Sequence, residues 1–379
     1  MALSLNQVPK LVFGEGALSS AAEYLQRLGA KRPFVVAAPY VRGFAEQLHD
    51  AAEVDVSTVS EPTVEHLYRL MEAARAAQPD AIVGIGGGSV LDAAKLVAAL
   101  CDGAQTLDEV WGIGNLNGRS LPLVCLPTTS GTGSEVSPNA LLLDEASQSK
   151  KAVISPYLVP DAAFLDPALT VSVPGPVTAA TGLDALTHCI EAYANNFAHP
   201  LVDTWALDGI RHIAGHLVTA VRDPGNMEAR TRLALGSLYG GLCLGPVNTA
   251  AVHALSYPLG SRYHIAHGHT NAILLPHVLR FNVPAAPERY AEIALALGAS
   301  RQATDEETAM AGIDRLWHLI GETGLEMRIS ALRIPESEIP RLAAEGLAVT
   351  RLMRNNVRAI TQQEAEEIYR AAYDGRREG

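Results

Sequence analysis

Residues 1 to about 175 alternate short apolar runs with segments of helical spacing, and this alternation restricts the fold more than any other feature of the sequence. Repeated βα units of this kind are typical of a parallel sheet flanked by helices. The predicted helices cover residues 17–28, 41–52 and 64–77, and the predicted strands cover residues 33–38, 54–59, 81–85 and 121–126.

From about residue 177 onward the strand signals nearly vanish, and Ala, Leu, Ile, Glu and Arg recur at helical spacing. The chain has 379 residues, which is enough for two domains of ordinary size. We therefore predict an α/β domain over residues 1–175 and an all-helical domain over residues 176–379. No repeat or linker rich in Pro, Gly or Ser divides them.

Composition narrows the class of protein. Hydrophobic residues make up 48% and charged residues 18%, a balance typical of a globular enzyme. The net charge of -12 argues against nucleic acid and anionic membranes as partners. We expect no signal peptide and no membrane span, because a basic leader and a long apolar run are both missing. The scattered cysteines predict reduced thiols and a cytoplasmic location; they are Cys101, Cys125, Cys189 and Cys243.

A carboxylate and several imidazoles predict a metal site in the second half. Asp184 and His188 are four residues apart in helix-forming sequence, so their side chains share one helix face. Alone, such a pair more often caps a helix or forms a salt bridge within it. Three further histidines crowd into six residues of an apolar region, namely His264, His267 and His269. Solvation alone does not explain that crowding, and we interpret part of it as a ligand set.

The remaining ligand is predicted from the helix boundaries. Pro258 and Gly260 are expected to end one helix, with His253 closing it and His267 near the start of the next. One carboxylate and three imidazoles then form a borderline donor set, suited to Fe(II), Zn(II), Mn(II) or Co(II). His277 either lines this site or is a buried core histidine.

Two loops of the first half contain glycines and hydroxyls where a nucleotide could bind. The segment Gly86-Gly87-Gly88-Ser89 follows a predicted strand and opens a helix, so its amides could hold a pyrophosphate. The alternative is a tight structural turn, since Ser89 stands where a dinucleotide fingerprint has glycine. The second loop includes Thr128 and Thr129 and could contact a ribose or a nicotinamide amide, or be an ordinary polar turn.

In this order and spacing, the motifs resemble those of the iron-containing (group III) alcohol dehydrogenase family. The resemblance covers nearly the whole chain. The matching segments are residues 12–16, 86–89 with Asp92 and Lys95, 127–129 with 131–135, 166–170, 182–188, 267–268 and 271–277.

The resemblance implies a Rossmann-like N-terminal domain, an all-α C-terminal domain of the dehydroquinate synthase-like architecture, and an NAD(P)-linked, metal-dependent alcohol dehydrogenase or aldehyde reductase. It implies Fe2+ as the ion, with Zn2+ or another divalent ion possible, a small alcohol or aldehyde as substrate, and a homo-oligomer, dimer or larger. The implied metal ligands are Asp184, His188, His253 and His267. Substrate would contact Asn139, and NAD or NADP would contact Gly86, Gly87, Gly88, Ser89, Asp92, Thr128, Thr129, Lys151, Leu169 and Thr170.

Two positions depart from the family pattern. Tyr257 stands where many relatives have a histidine, so we expect His264, His269 or water to carry the proton. Ala38 stands where NAD-preferring relatives place an aspartate, which predicts weak discrimination between NAD and NADP. Arg42 is close enough in sequence to meet a 2′-phosphate, or it simply pairs with Glu46 one helical turn away.

Three other functions are compatible with parts of the pattern. A maleylacetate reductase-like enzyme shares the fold and the order of motifs. A lyase of the dehydroquinate synthase type should show more basic residues converging on a substrate phosphate. A non-catalytic binder of metal and nucleotide would differ only in lacking turnover of nicotinamide with an aldehyde.

Overall fold

The computed structural model describes residues 3–49, 52–58, 62–145 and 149–375. The described residues form two compact units, which divide between Val173 and Pro174. The α/β class of the first half and the helical class of the second, both predicted from the sequence, are confirmed.

The strands of the first unit are β1 (Lys10–Phe13), β2 (Pro33–Ala37), β3 (Glu53–Asp55), β4 (Ala81–Gly86), β5 (Gly112–Ile113), β6 (Leu123–Pro127), β7 (Asn139–Asp144), β8 (Ser149–Ile154) and β9 (Ala162–Leu165). Six of them form a parallel sheet in the order β1-β9-β6-β4-β2-β3. The central strands β2, β4 and β6 are buried along their whole length, which explains why they are continuous apolar runs. A smaller sheet has the order β5-β8-β7.

Helices of the first unit are α1 (Ala17–Leu28), α2 (Arg42–Ala45), α3 (Val64–Ala77), α4 (Gly88–Leu100) and α5 (Leu107–Val110). The predicted bounds of α1 and α3 are confirmed. Both helices have clear end signals: Gly29 adopts the left-handed conformation (φ 76°) after α1, and the Thr63 hydroxyl accepts a hydrogen bond from the His66 amide at the start of α3.

The predicted helix over residues 41–52 is wrong in length. A 3₁₀ turn, Pro39–Val41, leads into α2, which ends at Ala45. Gly43 lies inside this short helix, and glycine costs about 1 kcal/mol relative to alanine in a helix. The following strand is also shorter than predicted, and residues 50, 51 and 59 of the two predicted elements lie outside the described residues.

Helices build the second unit. Apart from an isolated bridge between Asn195 and Asn356, no strand occurs among the described residues from 174 to 375. The helices are α6 (Gly175–Tyr193), α7 (Pro200–Arg222), α8 (Met227–Leu244), α9 (Ala251–Tyr263), α10 (His267–Asn282), α11 (Pro287–Ala296), α12 (Asp305–Thr323), α13 (Ile339–Leu347), α14 (Thr350–Met353) and α15 (Gln362–Asp374).

Helix α9 corrects the prediction that Pro258 and Gly260 end a helix. It continues through both and stops at Tyr263, so His253 lies in its first turn instead of at its end. An internal proline costs about 3 kcal/mol. Leu255 and Leu259 are fully buried on either side of Pro258, and each contributes roughly 1.5–3 kcal/mol. Core packing therefore outweighs the lost hydrogen bond.

Across the described ranges, no helix combines the length and apolar character needed to cross a bilayer. The four cysteines are free and buried. Burial raises the pKa of the Cys125 thiol to about 12, so this sulfur stays protonated near neutral pH.

Candidate functional site

Helix α6 presents Asp184 and His188 inside the helical unit. The segment from Gly182 to Tyr193 is entirely buried, so two polar side chains within it require polar partners. The Nε2 atom of His188 is 3.6 Å from Oδ1 of Asp184. The predicted sharing of one helix face is therefore confirmed for this pair.

Helices α9 and α10 bring two further imidazoles to the same carboxylate oxygen. Nε2 of His253 is 3.4 Å from Asp184 Oδ1, and Nε2 of His267 is 3.6 Å from it. His267 is the first residue of α10, as predicted. A β-carbon at Gly268 would overlap the carbonyl oxygen of Ala180 on α6, so only glycine allows α10 to start this close to α6.

Glu191, which the sequence analysis missed, orients one imidazole. Its Oε2 atom accepts a hydrogen bond of 2.6 Å from Nδ1 of His253, and its Oε1 atom accepts one of 2.6 Å from the amide of Val252. A carboxylate only accepts, so Nδ1 of a neutral His253 carries the hydrogen and Nε2 keeps its lone pair toward Asp184. The available signal was a glutamate three residues after His188 in an otherwise apolar helix.

Asn271 was also missed, and it marks the point where the side chains converge. Its Nδ2 atom is 2.8 Å from Asp184 Oδ1, 3.2 Å from His253 Nε2 and 3.4 Å from His267 Nε2. An amide nitrogen only donates, so the Asp184 oxygen accepts from it, and the two imidazole nitrogens can accept from it when their rings are neutral. Asp184, His188 and His253 are buried and form a group that could hold a metal ion, and His267 is partly exposed beside them. One carboxylate and three imidazoles are a donor set that fits a divalent transition-metal ion.

The electrostatics of the cluster follow from burial and charge. Burial alone would raise the pKa of Asp184, but His188, His267 and His253 outweigh it and hold that pKa well below its usual range. Burial alone would lower the pKa of His253, but the carboxylates of Glu191 and Asp184 raise it to about 10. Without a metal, His253 therefore holds a proton at neutral pH, and an incoming cation must displace it.

The two histidines predicted for proton transfer, and the tyrosine that replaces the usual histidine, have different surroundings. His264 follows α9, is exposed and has a left-handed backbone (φ 53°). Nε2 of His269 lies 2.6 Å from the carbonyl oxygen of Glu326 and must carry hydrogen there. The Tyr257 ring packs 5.7 Å from the His267 ring, centre to centre. Of these three residues, Tyr257 is the one whose ring contacts a proposed metal ligand, His267.

His277 packs edge-on against Trp317, 5.3 Å between ring centres, and lines a cavity with Phe281 and Ile368. Among the described residues its buried Nε2 atom has no hydrogen-bond partner. Burial, assisted by Arg280, lowers the pKa of His277 to about 4. Its ring is therefore neutral at physiological pH.

In the first unit, the glycine-rich loop leads from β4 into α4. Gly87 caps this helix without a side-chain hydrogen bond, so the amides of Gly88 and Ser89 remain available to an anion. A β-carbon on Gly88 would lie 2.5 Å from Cγ2 of Thr132, so this loop and the loop after β6 approach within contact distance. Such a cradle fits a phosphate group.

Two charged residues of α4 anchor the segment that begins β7. The carboxylate of Asp92 accepts hydrogen bonds from the Ser134 hydroxyl (2.5 Å) and the Leu141 amide (2.9 Å). The buried Lys95 ammonium donates to the carbonyl oxygens of Ser137 (2.9 Å) and Asn139 (2.8 Å). Oδ1 of Asn139 is buried and has no partner among the described residues.

The other residues predicted to contact a nucleotide differ in accessibility. Thr128 is fully buried, and its hydroxyl lies 3.1 Å from that of Tyr40. Thr129 is half-buried and next to Gly87. The Lys151 ammonium pairs with Asp144 at 2.6 Å. Leu169 and Thr170 are buried in the 3₁₀ turn Pro167–Thr170.

Comparison with known proteins assigns the family. Residues 9–167 match the profile described as iron-containing alcohol dehydrogenase, and residues 178–373 match that of the Fe-containing alcohol dehydrogenase family, C-terminal. The chain belongs to the iron-containing alcohol dehydrogenase family. It is an oxidoreductase that acts on the CH–OH group of donors.

Relatives of this iron-containing alcohol dehydrogenase span its length. Long-chain-alcohol dehydrogenase 1 of Geobacillus thermodenitrificans is 37% identical over 375 residues, covering 96% of this chain and 94% of the relative. A crystal structure of 1,3-propanediol oxidoreductase has a TM-score of 0.94 at 31% identity, covering 98% and 100%. Sulfoacetaldehyde reductase from Bifidobacterium kashiwanohense, in complex with NAD+, has a TM-score of 0.89 at 27% identity, covering 99% and 100%. These relatives favour an alcohol dehydrogenase over the maleylacetate reductase-like alternative.

Of the two interpretations of Arg42, a contact to a 2′-phosphate or a salt bridge with Glu46, the structure shows the salt bridge. Arg42 pairs with Glu46, with 2.8 Å between Nε and Oε1, and both side chains are more than half exposed. The predicted i,i+4 salt bridge is therefore present. Ala38 is buried, directly after β2.

Proposed function

We propose that this chain is a metal-dependent, NAD(P)-linked alcohol dehydrogenase that also reduces aldehydes. The observation that carries the proposal is the convergence of the Nε2 atoms of His188, His253 and His267 within 3.6 Å of Asp184 Oδ1. We propose Fe2+ as the ion, with Zn2+ or another divalent ion able to replace it.

Asp184, His188, His253 and His267 would hold the ion. A divalent ion there supplies Lewis acidity toward the oxygen of an alcohol or aldehyde. The chain's own contribution is orientation: Glu191 fixes the tautomer of His253, and Gly268 allows His267 to approach α6. Burial of the cluster strengthens each of these electrostatic contacts.

NAD or NADP would supply the hydride chemistry. The uncapped start of α4 supports pyrophosphate binding by Gly87, Gly88 and Ser89, with Gly86 leading into the loop. A relative with 27% identity was crystallised with NAD+, which supports the same class of cofactor here. Further proposed contacts are Asp92, Thr128, Thr129, Lys151, Leu169 and Thr170.

A small alcohol or aldehyde is the proposed substrate, and the propanediol, long-chain alcohol and sulfoacetaldehyde named in the relatives support that class. The partnerless Oδ1 of Asn139 supports its role as a substrate contact. We also propose a cytoplasmic homo-oligomer, a dimer or larger, which sedimentation analysis of the purified protein would check.

Proton exchange is assigned to His264 or His269, or to water, because imidazole suits exchange near neutral pH better than a phenol. His264 is exposed to solvent, which supports it as the first choice. The substitution His264→Ala should lower kcat about 10²-fold or more. A comparable loss in Tyr257→Phe alone, with an ionisation missing from the pH–rate profile, would assign the role to Tyr257.

The proposed function is tested by removing and restoring the metal. Exhaustive chelation should abolish NAD(P)H oxidation with an aldehyde panel, and added Fe2+, Zn2+ or Co2+ should restore it. His267→Ala should bind less metal while keeping the circular dichroism spectrum of the native protein. Full activity in a sample shown to be metal-free would overturn the proposal.

A further inference from the structure

Arg351 is connected through Tyr257 to His267, one of the proposed metal ligands, and neither the proposed chemistry nor the sequence motifs account for it. It belongs to α14 and is half-buried. Its Nη2 atom donates a hydrogen bond of 3.2 Å to the hydroxyl of Tyr257, and its Cζ atom is 5.9 Å from the centre of that ring. Tyr257 in turn packs against His267. One tyrosine therefore contacts both the guanidinium and a proposed metal ligand.

Arg351 differs from three other partly buried arginines of this unit, each of which has an acidic partner. Arg262 pairs with Glu345, Arg289 with Asp203 and Arg358 with Glu364. Within the described ranges, by contrast, no carboxylate lies within 4 Å of Arg351.

A half-buried guanidinium without a counter-charge has lost part of its hydration and regained little of it from the protein. Arginine has five N–H donors, and the Tyr257 hydroxyl accepts from only one nitrogen of Arg351. The remaining donors have the planar arrangement that binds a carboxylate or sulfonate through two parallel hydrogen bonds.

Arg351 is a local positive charge in a chain whose net charge is negative. The net charge of -12 repels anions on average, so binding of a substrate with a negative group is favoured by a local positive charge. The exposed Arg354 nearby stacks on Phe197 instead, 5.6 Å from the ring centre, and provides a matched comparison.

We propose that Arg351 recognises an anionic group, a carboxylate or a sulfonate, at the end of the substrate remote from the reacting carbon. The substrate class is then a short ω-anionic aldehyde or its alcohol. This inference rests on the proposed dehydrogenase function and adds specificity to the same site.

The test compares two aldehydes of similar length with the metal-loaded enzyme: succinic semialdehyde, which is anionic, and pentanal, which is neutral. The native protein should show the higher kcat/KM for succinic semialdehyde. Arg351→Met should lower that value about 10- to 100-fold, mainly through KM, and leave pentanal within about threefold. Arg351→Lys should recover part of the loss, and Arg354→Met should change neither substrate.

Equal losses for both aldehydes in Arg351→Met would overturn the inference, because Arg351 would then only support Tyr257. A raised KM for the nicotinamide cofactor with unchanged aldehyde kinetics would also overturn it, since the anion would be a nucleotide phosphate. If the native protein reduces pentanal at least as efficiently as succinic semialdehyde, the inference about Arg351 is wrong but the proposed function stands. A native protein that reduces neither aldehyde would overturn the proposed function as well.

Discussion

Glu191 shows how one buried side chain can set the properties of a proposed metal ligand. Its two oxygens contact successive residues of α9, the amide of Val252 and Nδ1 of His253, so it fixes both the start of that helix and the direction of the imidazole. A carboxylate partner also makes the imidazole more basic and a better ligand.

We predict that Glu191→Gln lowers metal affinity about 10- to 100-fold while the protein stays folded. Glutamine is isosteric and still accepts a hydrogen bond, but its neutral oxygen polarises His253 less. Competition of Co2+ between the protein and a chelator measures the change. Glu322→Gln, a neutralisation at an exposed ion pair on α12, serves as the control. Unchanged Co2+ affinity in Glu191→Gln would show that the contact only shapes the helix.

At residue scale, spacing within one helix predicted the Asp184–His188 pair, whereas contacts between distant elements escaped prediction. Glu191 meets a side chain 62 residues away, and Arg351 meets one 94 residues away. The apolar helix around Glu191 indicated that this side chain needs a polar partner but not which one, and Arg351 has no local pattern that distinguishes it from an ordinary surface charge. The motif resemblance implied one aspartate and three histidines as metal ligands. It gave no information about residues such as Glu191 that orient those ligands.

At the scale of elements, the bounds of α1 and α3 were predictable because local capping and amphipathic spacing agree there. Prediction failed where tertiary packing competes with local preference. Helix α9 continues through Pro258 because its neighbours are buried, and α2 stops early despite helical spacing. The sequence shows the local cost of a proline but not the burial that offsets it.

The end of β2 carries the prediction about cofactor choice. Ala38 neither attracts ribose hydroxyls nor repels a 2′-phosphate, while the pairing of Arg42 with Glu46 reduces its readiness to meet one. We expect NADPH to be accepted alongside NADH with weak discrimination. Ala38→Asp should raise the KM for NADPH more than that for NADH, and Glu46→Gln should lower the KM for NADPH by releasing Arg42.

Steady-state kinetics with both cofactors measure these changes. The control is Glu23→Gln, which breaks an exposed ion pair with Arg27 on α1. Rejection of NADPH by the native protein by more than about a thousandfold, roughly 4 kcal/mol, would mean that another group selects the cofactor.

At the scale of the whole molecule, each unit has its own apolar core, and these cores provide most of the folding free energy. A bound metal adds stability by mass action, because the converged ligand set exists only in the folded chain. Loss of one ligand should therefore reduce the metal-dependent increment without unfolding the protein. That increment should also depend on pH.

The sign of this pH dependence follows from His253. Its pKa is about 10 in the folded, metal-free chain, against an ordinary value of 6.5. Protonation of His253 therefore contributes to the free energy of unfolding of the metal-free protein. This contribution is complete below pH 6.5 and disappears as the pH rises toward 10. Because a metal needs the deprotonated Nε2, binding must displace that proton, and metal affinity should rise up to about tenfold per pH unit across the same window.

We predict that the increase in Tm caused by Co2+, at a fixed free concentration, grows between pH 6.5 and 8.5. Each pH unit should add up to about 1.4 kcal/mol of metal-dependent stability. Calorimetry of the metal-free and Co2+-loaded protein gives the increment, and Asp184→Asn, which lacks a proposed ligand, should show almost none. The same increment at every pH would mean that Co2+ displaces no proton, and His253 would then not be the ligand that controls metal uptake.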